Sequence, residues 1–194
     1  MANQKGGTYS ETILATFHDG TVAYKVEALL DSVDVDMGDK ESEYKPNLAG
    51  GRIKIQKPQE DTIITFEGWF QGIGDTDSTT PDGLVSLYAG TTADTTNAIQ
   101  LSVDRTRRLF NVFLLWTDDT AATSAQDSIA SGANMIRLRA SNSELVSMKP
   151  KYSDGELKWT FKFRVPAFSP SGSTKNIYWE SVDGTSAMTS LASQ

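Results

Sequence analysis

The chain has 194 residues, with 18 Lys plus Arg against 25 Asp plus Glu, and a formal charge of −7. That sign repels polyanions at long range, so a broad phosphate-gripping surface is not expected. There is no cysteine and only one histidine, which excludes disulfide staples, thiolate nucleophiles and cysteine metal sites.

The length fits one domain over residues 1–194, since single domains commonly run ~100–200 residues. The opening segment, from Met1 to Thr8, lacks an apolar core and does not read as a secretory signal. The stretch Phe17-His18-Asp19-Gly20 reads as a strand end entering a turn. Val22–Leu30 follows with strict alternation, placing Val22, Tyr24, Val26, Ala28 and Leu30 inward. The next segment, Asp31–Gly51, starts acidic and ends on Pro46, Asn47 and the pair Gly50-Gly51. From Met37 onward it has no clear period, and aperiodic loops of that length are usually functional or disordered. Residues 37–51 are therefore expected to be a loop or arm, with Tyr44 favouring an arm because interfaces enrich tyrosine.

Arg52–Gln56 is a short expected strand, and Asp61–Phe70 a longer one with Ile64, Phe66, Gly68 and Phe70 on one side. A first helix is expected after Thr80, opening on Pro81 and Asp82 and stopping at Gly90. Leu109–Thr117 is apolar on both faces and so is expected to be central, with its second face covered by another element. It contains the longest apolar run, Val112–Trp116, which is far too short to cross a bilayer. No membrane insertion is expected. A second helix is expected over Asp119–Ile129, which is Ala-rich, with Gly132 beyond it. Met135–Ala140 and Glu144–Met148 are expected strands. The turn Ser153-Asp154-Gly155 then leads to the clearest strand, Leu157–Val165, which Pro166 ends. Ile177–Val182 completes the set. The expected fold is mainly β: two packed antiparallel sheets, sandwich- or barrel-like, flanked by one or two short helices.

The inventory for chemistry is thin. His18 is the only neutral-pH base, and no Gly-x-Ser-x-Gly elbow accompanies it. Asp75, Asp77 and Asp82-Gly83 imitate a calcium loop superficially, but its sixth position is Thr80 rather than glycine and its twelfth is Ser86 rather than glutamate. Gly72-Ile73-Gly74 is followed by aspartates, the wrong charge for a phosphate cradle. No catalytic residue, cofactor or metal is expected, and no enzyme. Arg105, Arg107 and Arg108 form the one compact basic cluster. They read as a solvated turn or subunit contacts, as do Lys158, Lys162 and Arg164 on the polar face of their strand. Trp69 and Trp179 would be the sugar-stacking residues if the fold were a carbohydrate-binding sandwich.

Several segments, taken in order, resemble the major tail (tail tube) proteins of long-tailed viruses of bacteria and archaea. They are Gly50-Gly51-Arg52-Ile53-Lys54-Ile55, then Glu60–Phe70, then Asp82–Gly90, and late in the chain Gly155–Pro166. The resemblance spans about Val22 to Phe168, but the Ala/Ser-rich stretch 118–132 has no counterpart in it and is expected as an insertion on the outer surface. It implies two packed antiparallel sheets beside a helix, six copies in a ring, and rings stacked into a tube. It implies that an arm containing Asp39, Lys40, Glu41, Glu43, Tyr44, Lys45 and Pro46 reaches the adjacent ring. The implied partners are further copies of the chain, a tape-measure protein, a tail terminator and baseplate or tip proteins. The genome would pass through the lumen without specific binding. The implied location is the virion tail, with assembly in the host cytoplasm. A virion decoration or capsid protein and a carbohydrate-binding module are the alternatives.

Overall fold

The computed structural model describes residues 12–20, 23–28, 32–38, 42–46, 50–56, 60–70, 109–167, 176–183 and 186–191. The strands among them are β1 Thr12–His18, β2 Ala23–Ala28, β3 Asp34–Asp36, β4 Ser42–Pro46, β5 Arg52–Gln56, β6 Thr62–Phe70, β7 Leu109–Thr117, β8 Asn134–Ser153, β9 Glu156–Val165 and β10 Ile177–Asp183. Among the described residues there is no α-helix, and none long and apolar enough to cross a membrane.

Six strands close on themselves. β1 lies between β2 and β7, β7 pairs with β8, β8 with β9, β9 with β6, and β6 returns to β2, every pair antiparallel. The expectation of two packed sheets is met as a closed barrel, because β6 and β8 each run through both sheets. β6 pairs with β9 along one edge and with β3 and then β2 along the other. β8 does the same with β10 and then β9. The two separately expected strands at 135–140 and 144–148 are thus one strand of 20 residues. It bends at Asn142, which has φ of +55°. At that bend Asn176 donates from Nδ2 to the Pro166 carbonyl at 2.6 Å and accepts the Ser141 N–H at 2.7 Å. β9 leaves the ladder at Pro166, and β10 takes its place. A two-residue turn, Asp154-Gly155, joins β8 to β9 with both residues at positive φ. That is the backbone a tight hairpin demands, and glycine supplies the second position without strain.

Alternation decides what fills the barrel. Ile13, Ala15 and Phe17 of β1 point in, with Tyr24 and Val26 of β2, Ile64 and Phe66 of β6, and Phe161, Phe163 and Val165 of β9. The rings interlock: Phe17 stacks on Tyr24 at 5.3 Å, and Phe66 on Phe161 at 5.1 Å between centroids. Among the described residues β2 meets β6 through the pairs Val26↔Phe70 to Ala28↔Gly68. A Cβ at Gly68 would lie 2.4 Å from the Glu27 carbonyl oxygen, so the two strands approach this closely only around glycine.

β7 is apolar on both faces as expected, and its outer face is covered. The cover is not a helix. Ala125 and Ile129, with Met188 and Leu191 from the end of the chain, pack on Leu14, Phe113, Leu115 and Met135. The helix expected over Asp119–Ile129 is replaced by irregular chain, and the reason is local. Asp127 Oδ2 accepts the Thr123 N–H, the Thr123 hydroxyl and the Ser124 N–H at 2.8–3.1 Å. Asp119 Oδ1 accepts the Ala121 N–H at 2.9 Å. Short polar side chains take the donors a helix would use, as Ser, Thr and Asp commonly do. The helix expected at 80–90 lies outside the described residues.

The cover is tied down by polar groups. Ile129 and Met188 exchange two backbone hydrogen bonds at 3.0 and 2.9 Å. The Thr16 hydroxyl, buried on β1, accepts the Ala125 N–H and bonds the Ser124 hydroxyl, each at 3.0 Å. Arg137 on β8 is fully buried beneath it. Its guanidinium pairs with Glu180 of β10 at 2.7–2.8 Å and donates to the carbonyls of Asp127 at 3.2 Å and Thr189 at 2.9 Å. The stretch 118–132 therefore supplies part of a second core as well as surface.

Candidate assembly surfaces

β4 and β5 form a separate two-stranded sheet, from Ser42↔Gln56 to Pro46↔Arg52. The segment expected as an aperiodic loop thus contains a strand, and its partner is the short strand expected next to it. Sequence periodicity misses β4 because neither of its faces is buried: every residue from Ser42 to Pro46 is exposed. Pairing places Tyr44 beside Lys54 on one face, and Ile53 and Ile55 beside Lys45 and Glu43 on the other. Tyr44 is 59% exposed and Ile53 54%. An isolated two-stranded hairpin is marginal in water, and one with apolar side chains on both faces has surface to bury against a partner.

The root of this hairpin is firmly held. A Cβ at Gly38, whose φ is +69°, would lie 2.6 Å from the Glu60 carbonyl oxygen, so the outgoing and returning chains touch here. The Thr62 hydroxyl donates to the Met37 carbonyl at 3.2 Å. The arm therefore leaves the barrel at the Thr62 end of β6. Of its predicted residues, Glu43, Tyr44, Lys45 and Pro46 lie on β4, whereas Asp39, Lys40 and Glu41 lie outside the described residues.

Among the described residues, two strands end the larger sheet. β3 is three residues long, and both of its aspartates are exposed, features that discourage edge pairing. β10 is longer and carries exposed Tyr178 and Trp179. Tyr178 sits under the Arg139 guanidinium at 5.8 Å, and Trp179 stacks on Trp116 at 5.8 Å.

The basic residues expected as subunit contacts divide into three groups. Lys158 lies 5.3 Å from the Trp69 ring centroid and pairs with Glu156 at 3.2 Å. Arg164 pairs with Glu144 and lies 3.9 Å from Asp61. Lys162 is exposed. Arg105, Arg107 and Arg108 lie outside the described residues, as does the Asp75–Asp82 loop. His18 ends β1 as expected, and its Nδ1 accepts the Gly20 N–H at 2.9 Å. Among the described residues, no three acidic or histidine side chains gather as a metal site would require.

One surface was missed in the sequence. The β8–β9 hairpin continues beyond its last pairing with β6, Trp159↔Gly68. Tyr152 pairs with Leu157 there, on the same face as Pro150 and Trp159. This is the barrel's interior face carried past the barrel's end. Tyr152 is 75% exposed and Leu157 50%. Alternation along β9 puts Leu157 on the same face as the buried Phe161 and Phe163, yet it lies beyond the barrel. The signal was available in Tyr152, which alternation places opposite it across the Asp154-Gly155 turn.

No family model and no curated protein matches the chain. Solved structures that it resembles include a chain of the sheath–tube complex of an extracellular contractile injection system in its extended state. The identity is 11%, the TM-score 0.48, and the match covers 92% of this chain and 95% of that one. Another is a chain of the tube-terminating cap of an anti-feeding prophage, at 11% identity and TM-score 0.46, covering 94% of this chain and 100% of that one. These likenesses are loose, and the functional reading below rests on the chain's own surfaces.

Proposed function

We propose that this chain is a structural subunit of a viral tail tube, assembling as hexameric rings that stack into a conduit for the genome. The observation that carries the reading is the β4–β5 hairpin: a paired, rooted arm that exposes Tyr44, Ile53 and Ile55 and buries none of its described side chains on its own barrel. Such an arm gains stability by docking on another copy. Around the ring, copies join by sheet edges, and β10 is the edge suited to it, being longer than the three-residue β3 and carrying exposed Tyr178 and Trp179. The subunit carries no catalytic role. Its partners are other copies, a tape-measure protein along the lumen, and terminator and baseplate or tip proteins at the ends. It works in the virion tail after assembling in the host cytoplasm.

Electron microscopy and light scattering of the purified protein across concentration test this. Rings or tubes are expected, and deletion of Glu41–Pro46 should leave the fold intact while stopping tube growth. A monomer that persists at high concentration, or tubes of normal length from the deletion, would overturn it. Glycan binding without assembly would instead select the carbohydrate-binding reading through Trp179, since Lys158 already occupies the ring of Trp69.

A further inference from the structure

We infer that the β4–β5 arm of one copy docks on the tip of the β8–β9 hairpin of the next copy, head to tail. The inference rests on the tube reading and adds the receiving surface to it.

The two surfaces sit at opposite ends of the same strand. The arm leaves at Thr62, where Gly38 abuts Glu60. The tip begins where β6 stops pairing with β9, at Gly68↔Trp159. Seven paired residues separate these points, roughly 20 Å at ~3.4 Å per residue. Each end carries an exposed apolar group, and neither covers the other within one chain. A surface at one end that fits a different surface at the other end is heterologous, and repeating such a contact builds an open stack rather than a closed pair.

The occupant of the tip is a second copy because its chemistry matches the arm. Tyr152 and Leu157 continue the barrel's core face beyond the last β6–β9 pair, Tyr152 largely exposed and Leu157 half exposed. On the arm, Ile53 and Ile55 lie two residues apart on one face. The exposed parts of these four side chains come to roughly 400 Å², taking ~150–250 Å² for a whole aromatic side chain and somewhat less for an aliphatic one. A stable isolated pair buries ~1,200–2,000 Å². One such contact is too small to hold two free subunits together, but it serves where a ring presents many at once. Stacking should therefore follow ring formation, with no head-to-tail dimer in dilute solution.

The absence of cysteine from the chain makes the test direct. The double variant Ile55→Cys with Tyr152→Cys, assembled and treated with a mild oxidant, should run as a ladder of covalent multimers on a non-reducing gel. Each single variant should remain monomeric on that gel. Tubes by microscopy with no ladder would overturn the inference while leaving the arm and the tube reading standing. Ladders or dimers from a single variant, or a cross-link confined within one chain, would also overturn it. Failure of the unmodified protein to assemble at any concentration would remove the tube reading, and the inference with it. As a second arm, Tyr152→Asp with Leu157→Asp should melt within about 2 °C of the parent, because both residues are exposed. It should reduce tube yield at least tenfold, and a yield equal to the parent's would refute the docking.

Discussion

Replacing Arg137 by methionine removes a buried cation that ties the outer cover to the barrel while keeping much of the buried stem's volume. In the parent, the guanidinium serves Glu180 and the carbonyls of Asp127 and Thr189. The two carbonyls matter most. Each hydrogen bond to a charged donor contributes ~1.5–3 kcal/mol, and both acceptors lie in irregular chain outside the strand ladders. Glu180 matters less, because its side chain is 39% exposed and water can replace its partner at a loss of ~0–1 kcal/mol. Relief of the desolvation that burying the guanidinium imposes returns part of this. The net loss should be about 2–4 kcal/mol, or roughly 5–15 °C in Tm at ~2–4 °C per kcal/mol for a chain of this size. Urea and thermal denaturation measure the stability, and hydrogen exchange locates the change, which should concentrate at residues 118–133 and 186–191. If Arg137→Met melted with the parent and those residues exchanged no faster, the arginine would not be the tie described.

Gly68→Ala drives a Cβ against the Glu27 carbonyl where β2 meets β6; a destabilisation of about 3 kcal/mol or more is expected from the backbone shift, read by urea denaturation. Gly155→Ala forces a side chain into the left-handed region at φ of +83° and should lose about 1–2 kcal/mol, read by urea denaturation. Ile53→Asp with Ile55→Asp should shift stability by under about 0.5 kcal/mol, because both side chains are exposed, yet abolish tubes in electron micrographs. Phe163→Ala, at the centre of the aromatic cluster, should lose about 3–5 kcal/mol.

What could be read in the sequence follows from what is half-buried. β9 shows itself because Phe161, Phe163 and Val165 face the core while Lys162 and Arg164 face water, and Pro166 marks where its ladder ends. β7 shows itself by being apolar on both sides, and the need for a cover follows. The form of that cover did not, because helix patterning in Ala122, Ala125 and Ile129 says nothing of Asp127 capturing the donors of Thr123 and Ser124. β1 was recognised only at its end, since Leu14 and Thr16 on its outer face are buried as well and blur the alternation. β4 was read as a loop for the opposite reason: with both faces in solvent, burial leaves no imprint on its residues. The union of 135–140 with 144–148 is invisible locally, because Asn142 and Ser143 interrupt the pattern at the bend where the strand changes partner. Arg137 reads in sequence as one more surface charge, and only the meeting of three distant segments turns it inward.

The position of the arm at one end of β6 has a mechanical consequence. A pull on the arm enters the barrel along the axis of that strand. β6 is bonded to β9 on one edge through seven successive pairs and to β3 and β2 on the other. Load applied along a strand is shared by all those bonds at once, whereas load applied across it would open them one at a time. A subunit gripped by its arm would thus resist tension as a rivet in shear does, and would be far easier to peel from its β10 edge than to draw apart along β6.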